Sequence, residues 1–473
     1  MTSSGVGFWR HRALVPALIA VVVALVARWL SWPGMATHDT LFVTAEAVHG
    51  QYTTYHPILN ALLIRILAVP FQSYWFYTTV QISLCTLLMI RSVTLANLHH
   101  NRRWPAFATL LVWVLAAPTI LFLGMIWKDV PTAYCLGFVA SLAYHLRTAP
   151  DARITKLDSI LLGLSIFLSV ALRHGMVFNL ILIPVIIGLS RFKGDRRLWV
   201  PYAIAVAGIL ALAGISRSPI VLNNEAHLLK LKISAISQPF LGIVSNRNGY
   251  SSDDLGYDNA LAKRVFGATY AREYAPDYFR NNVVLHDLRG LRSAYRAILK
   301  RTPRLCILNI SQCVSGRVQM MLGTLQPSTR FGGMKFYDLG VIPDCQRVND
   351  MDAQRCAILY EFETSEKPAS SQRVLRWSHS ELVEGRGLRN NLLVWNLLPA
   401  LGLVLAILVV FTPRSPLWVV AAFILAQCVL PFATAMANDF RYYYFLAPFF
   451  ALFLPHFLVE LRLFAAEAVN RGQ

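Results

Sequence analysis

Long apolar stretches recur along this chain, and the connections after every second one are rich in lysine and arginine. That alternation constrains the fold more than any other feature. An apolar helix of about 20 residues crosses the hydrocarbon core of a bilayer, and short cation-rich connections stay on the cytoplasmic side. Arg10 and Arg12 precede the first stretch. Arg102 and Arg103 follow later, then Arg147, Arg153 and Lys156, then Arg191, Lys193, Arg196 and Arg197, and finally Arg414 and Arg462. The spacing predicts spans at about 13–30, 74–95, 105–123, 126–146, 158–172, 176–190, 198–215, 392–411, 417–434 and 442–461. The expected fold is therefore an α-helical polytopic membrane protein of about ten transmembrane helices with both termini cytoplasmic.

Composition agrees. The chain is 56% hydrophobic with mean hydropathy +0.48, above the roughly 45–50% apolar usage of soluble domains. A formal charge of +19 raises nucleic-acid binding. Outside one hydrophilic block, however, the excess of 20 Lys and Arg over 9 Asp and Glu sits largely in the short cytoplasmic loops. That is a topology signal. The first stretch reads as a retained signal anchor, with no small-residue cleavage site close behind it.

Parity organises the rest. The membrane module covers 1–215, with a first periplasmic loop at 31–73. Pro57–Phe71 is apolar but short and contains Arg65. If it crossed, every later arginine-rich loop would move outside, so it is expected to lie along the interface as a juxtamembrane helix. The block 216–391 is then periplasmic, with 24 Lys and Arg against 16 Asp and Glu. It is long enough to form its own domain. It is expected to be mainly helical in its first half, with a periodic stretch from Pro276 to Lys300. Residues 392–473 supply three C-terminal spans and a cytoplasmic tail.

Cys85, Cys135 and Cys428 fall in predicted spans. Cys306, Cys313, Cys345 and Cys356 all fall in the outer block, where an even number implies two disulfides. Proximity favours Cys306 with Cys313 and Cys345 with Cys356, although four cysteines allow three pairings. Their spacings match no common zinc pattern.

The outer side keeps few charges. Four acids remain there outside the block, namely Asp39, Glu46, Asp129 and Asp439. Arg28 and Arg65 flank the first loop, and Lys128, Arg173 and Arg441 each abut the end of a span. Cations held at the outer surface against the charge rule suit an anionic lipid substrate. The plainer reading is that Lys128 pairs with its neighbour Asp129 and that Arg441 snorkels to headgroups. Tyr442, Tyr443 and Tyr444 read as an aromatic belt. His38, His49 and His56 share the first loop with Asp39 and Glu46, which leaves a divalent metal open although nothing in the sequence requires a cofactor. Hydrogen bonding within the loop, or capping of the interfacial helix, is the favoured account of these histidines.

The first loop reads Pro33-Gly34-Met35-Ala36-Thr37-His38-Asp39-Thr40, then Glu46, Gly50 and Tyr55-His56-Pro57. It resembles the first loop of GT-C-type integral-membrane glycosyltransferases that use polyprenyl-phosphate sugars. Protein O-mannosyltransferases and the lipid A aminoarabinose transferase belong to that group. Trp127-Lys128-Asp129, Arg173-His174-Gly175 and Arg441-Tyr442 are similar to motifs of the same family. The likeness covers about residues 10–215 and the last spans. The chain departs from it in having His38-Asp39 where many relatives have two adjacent acids, and in placing its soluble block between the seventh and eighth spans.

The resemblance implies an inner-membrane enzyme that inverts configuration as it moves a sugar from a lipid phosphate to an envelope glycan, lipid or protein. Asp39, Glu46 and Asp129 are the expected catalytic acids, with Asp39 as base and Glu46 in reserve. Lys128, Arg173, His174, Arg441 and Tyr442 are the expected donor-phosphate ligands, and His38 and His56 line the substrate loop. Such a transfer needs a base for the acceptor hydroxyl and positive charge for the departing phosphate. Two rival classes are an O-antigen ligase or polymerase using diphosphate-linked glycans, and a non-enzymatic lipid or polysaccharide transporter. Transporters concentrate polar groups at the bilayer midplane, whereas here ionisable residues gather near span ends.

Overall fold

A computed structural model describes residues 4–35, 38–53, 56–97, 104–115, 117–149, 154–173, 176–189, 196–218, 221–222, 225–246, 249–273, 283–325, 370, 373, 396–434 and 440–472. The described chain is almost wholly helical. Helix α1 (Ser4–Ser31) leads to α2 (His38–His49), strand β1 (Tyr52–Thr53) and α3 (Ile58–Leu67), which a 3-10 turn at Val69–Phe71 ends. Then come α4 (Trp75–Asn97), α5 (Trp104–Leu115), α6 (Ala117–Leu123), α7 (Asp129–Thr148), α8 (Lys156–Ala171), α9 (Asn179–Leu189) and α10 (Arg196–Ile215). Strand β2 (Val221–Leu222) opens the hydrophilic block, followed by α11 (Glu225–Val244), α12 (Leu255–Phe266), α13 (Tyr270–Glu273), α14 (Leu288–Leu308) and α15 (Ile310–Leu325). The chain closes with α16 (Leu398–Val410), α17 (Pro416–Thr434), a 3-10 turn at Phe440–Tyr443 and α18 (Leu446–Gly472).

Among the described residues, four helical segments are long and apolar enough to cross a bilayer: Trp75–Asn97, Arg197–Ile215, Pro416–Ala433 and Leu446–Ala466. Ala17–Ser31, Ile58–Phe71, Trp104–Val114, Asn179–Leu189 and Leu398–Val410 are shorter apolar helices. The protein is an α-helical membrane protein by this measure.

Helix α7 is the axis of the bundle. Every residue from Asp129 to Leu146 is buried, and α4, α8, α9, α17 and α18 all pack on it. A helix covered on all sides belongs to the interior of a helical assembly. Its N-terminus is therefore held firmly, and that end carries Lys128 and Asp129. Outside this centre, α8 and α10 approach closely because Gly163 has no side chain. A Cβ there would meet the Pro201 side chain at 2.8 Å.

Polar contacts pin the opposite end of the bundle. Arg91 Nε and Nη2 donate to the Asp158 carboxylate at 2.5 and 2.7 Å, and Asp158 also closes a capping box with Thr155 at the start of α8. The Arg147 guanidinium donates to the Leu189, Pro413 and Arg414 carbonyls. The Tyr144 hydroxyl donates to Glu460 Oε1 at 2.9 Å.

The hydrophilic block has a separate core built by α11, α12 and α14, including Ile233, Phe240, Leu261, Val265, Leu291 and Ile298. Arg301 grips the buried Asp258 through Nε at 2.5 Å and reaches Asp253 at 2.7 Å. The hydrogen bond from Arg301 holds the Asp253 carboxyl below its ordinary range. A disulfide joins Cys306 to Cys313, the pairing that proximity favours, while Cys345 and Cys356 lie outside the described residues. Of the periodic stretch Pro276–Lys300, residues 276–282 lie outside the described residues, and 283–287 are corrected to non-helical: α14 begins at Leu288, where Asp287 accepts the Gly290 amide at 2.5 Å and caps it. Similarly, the expected span at 126–146 starts at Asp129 and the first helix starts at Ser4.

Candidate functional site

The site is assembled on the N-terminal end of α7 by three tertiary attachments. First, the segment entering α2 is tied to the residues before Trp127. Met35 and Met125 form an isolated parallel bridge, with the Met35 amide donating to Gly124 O at 3.2 Å and the Ile126 amide to Met35 O at 2.9 Å. The Thr40 hydroxyl donates to Ile126 O at 2.9 Å. Gln81 Nε2, from inside α4, bonds the Leu123 and Met125 carbonyls at 2.9 and 2.7 Å. These bonds satisfy backbone groups that would otherwise be buried unpaired, and they hold Thr40 against Ile126, just ahead of the Trp127-Lys128-Asp129 turn.

Second, Asp129 reaches across to the end of α8. Its Oδ1 lies 3.0 Å from Arg173 Nε, with side chains only 3% and 13% exposed respectively. The local Lys128–Asp129 pair expected from the sequence is thereby corrected, since the acid takes a cation forty-four residues away. Third, Lys128 Nζ lies 3.4 Å from His56 Nδ1. His56 is buried immediately before α3, so that contact draws the first loop onto the same turn.

Helix α2 itself is well anchored. Thr44 and Tyr74 share a hydrogen bond of 2.6 Å, and Thr53 in β1 donates to Glu46. The strand pairing matches Tyr52 with Val221 and Thr53 with Leu222, which joins the first loop to the start of the hydrophilic block. Arg65 Nη1 donates to Ala47 O at 3.1 Å where α2 ends, and Gly50 turns the chain away at φ +66°. Arg65 is thus a helix-terminating residue. Arg28 is likewise occupied, bonding Thr79 at 2.9 Å and lying over the Trp32 ring at 4.2 Å.

The region from His38 to Glu46 is helical, so positions 39 and 46 lie two turns apart on one face. Asp39 therefore lies inside α2, which already includes His38. The side chains of His38, Asp39 and Arg441 lie outside the described residues, as do His174 and Asp439.

Sequence reasoning named Trp127 and the tyrosines but missed Phe122, Gln81 and Arg317. Trp127 stands against Phe122 at 5.0 Å, which meets Tyr444 at 5.1 Å. The indole Nε1 of Trp127 is buried without a hydrogen-bond partner among the described residues. This aromatic chain connects the α7 turn to the Phe440–Tyr443 turn, where Tyr442 is half-buried against the main core. Tyr443 and Tyr444 are 1% and 0% exposed, so they are packing residues and the aromatic-belt reading is corrected. Arg317 of α15, 5% exposed, donates to the Ala235 carbonyl of α11 at 3.5 Å. Gln81 carried a usable signal, as a polar residue inside an apolar stretch; Arg317 carried none. Among the described residues no group of three His, Cys, Asp or Glu is placed to hold a metal ion.

The arrangement presents acid, ammonium, guanidinium and imidazole groups at one end of an apolar bundle. Comparison with protein-family models, curated proteins and solved structures finds no match.

Proposed function

We propose that this protein is a GT-C-like membrane glycosyltransferase. It takes a sugar from a polyprenyl-phosphate donor at the outer face of a bacterial inner membrane. An envelope glycan, lipid or protein accepts the sugar with inversion. The observation that carries this reading is the meeting of Asp129 with Arg173 and of Lys128 with His56 on one turn, at 3.0 and 3.4 Å. These residues come from three separate connections of the bundle.

In this reading the Arg173 pair uses Nε, so the terminal amino groups of the guanidinium serve the departing phosphate. Lys128 supplies a second positive charge that does not depend on planar geometry. Arg441 and His174 complete the phosphate cradle, with Tyr442 beside Arg441. Asp39 is the base, and the latch from Thr40 to Ile126 carries its helix to that turn. Glu46, occupied by Thr53, fits a supporting role better than that of base.

Ten spans and a periplasmic site fit the same picture. The β1–β2 pairing puts residues 52–53 and 221–222 on one side. An even number of crossings must then separate them, and α4, α5 with α6, α7, α8, α9 and α10 supply six if α3 stays at the interface. The decisive variant is Asp39→Asn. Transfer from a polyprenyl-phosphate sugar should fall by about 10²–10⁴-fold while donor binding is retained. Near-normal transfer in Asp39→Asn, with loss in Glu46→Gln, would reassign the base.

A further inference from the structure

We infer that the α14–α15 elbow docks on the anionic phospholipid leaflet that faces the hydrophilic block. This inference is independent of the glycosyltransferase reading. Helix α14 carries six cations and no acid between Leu288 and Leu308. Its inner face, Leu291, Ala294, Ile298 and Leu305, is buried in the core of the block. Three of the cations have partners: Arg292 with Glu225, Arg301 with Asp258, and Arg304 with Asp253.

Arg289, Arg296 and Lys300 are exposed and make no ion pair among the described residues. Their spacing of seven and then four residues places them on one helical face. Ile307, 71% exposed, continues that face to the elbow, Leu299, 48% exposed, flanks it, and the elbow's start of α15 exposes Ile310 and Val314 at 63% and 49%. The Cys306–Cys313 disulfide crosses this elbow. Asn309, between the two helices, exchanges hydrogen bonds of 2.8 Å with the Ser251 backbone. The elbow is therefore held in shape with its apolar residues outward.

Its position selects the occupant. The far end of α15 is tied to the membrane bundle, since the Leu397 amide donates to Leu325 O at 2.8 Å just before α16. Helix α15 also packs on α17 and on the Phe440–Tyr443 turn. The elbow thus lies one 16-residue helix away, about 24 Å, from the start of a membrane-facing helix. Apolar residues beside unpaired cations make an interfacial surface, and anionic headgroups attract each basic residue held near them. A soluble acidic glycan would match the cations but leave the apolar residues in water.

The test uses the full chain in nanodiscs with an environment-sensitive fluorophore on Leu299→Cys. The unsubstituted chain, whose described free cysteines are buried, gives the labelling background. Discs of phosphatidylcholine alone are compared with discs containing phosphatidylglycerol, each with a headgroup-level spin-labelled lipid as quencher. Strong quenching is expected in the anionic discs, weaker quenching in the neutral ones, and loss towards background with Arg289→Glu, Arg296→Glu and Lys300→Glu combined. The lipid comparison uses native cations, so it stands even if that variant misfolds. Absence of quenching in both lipids would overturn the inference, as would quenching indifferent to lipid charge. Displacement by a soluble acidic polysaccharide would assign the face to a glycan instead, and that too overturns it.

Discussion

Asp129 at the start of α7 and Arg173 after α8 form a largely buried ion pair. Lys128 is covalently adjacent to Asp129, yet the acid faces Arg173 at 3.0 Å. The α7–α8 packing brings the two ends together, and both side chains are largely removed from water. Truncating one member of such a pair leaves the other uncompensated, at a cost of roughly 3–5 kcal/mol. Asp129→Ala should accordingly lower thermal stability in detergent strongly, and Arg173→Ala should do likewise. The double variant should lose clearly less than the sum, because the removed partners share one interaction. Strict additivity in a thermal-unfolding cycle would mean that the pair does not exist in the membrane.

At the scale of elements, α2 is the piece on which the site depends most and which the apolar pattern describes least. Gly50 ends it at φ +66°, and a Cβ added there would meet Arg65 Nη1 at 2.6 Å. The guanidinium can move aside, but an L-residue in this backbone region costs about 1–2 kcal/mol. Gly50→Ala should therefore lower the unfolding temperature modestly. Gly50→Asn should lose less, since Asn tolerates the left-handed conformation better. Equal stability for all three residues would show that the α2 terminus does not adopt this turn.

Much of the helical framework was legible, because long apolar runs leave a chain few alternatives in a membrane. Lys128 and Arg173 stood out because they violate the charge bias, and the structure brings their neighbourhoods together. The partner of Asp129 was not legible, since only tertiary packing selects it. Nor was the start of α14, where the Asp287 cap overrides a periodicity that runs further back. The tyrosines at 443 and 444 misled for a related reason. A run of aromatic residues at a span end has the same composition in a headgroup belt as in a buried corner, and only the Phe122 contact distinguishes the two.

For the whole molecule, the β1–β2 pairing is the strongest constraint on how the chain threads the bilayer. It sets Tyr52–Thr53 beside Val221–Leu222, so in the proposed topology the first loop and the start of the block share a side. Single cysteines placed in the block and beside β1 should react with an impermeant thiol reagent from the periplasm, and cysteines beside Arg102–Arg103 should not. Opposite accessibility of β1 and the block would break the parity argument and the ten-span reading with it. Chemistry at that outer end is the central claim, and envelope composition reads it most directly. Mass spectrometry of envelope glycans and lipid-linked sugars, from cells with and without the protein, should reveal one missing sugar unit and accumulation of its polyprenyl-phosphate donor. Identical glycans and an unchanged donor pool in both would contradict the account.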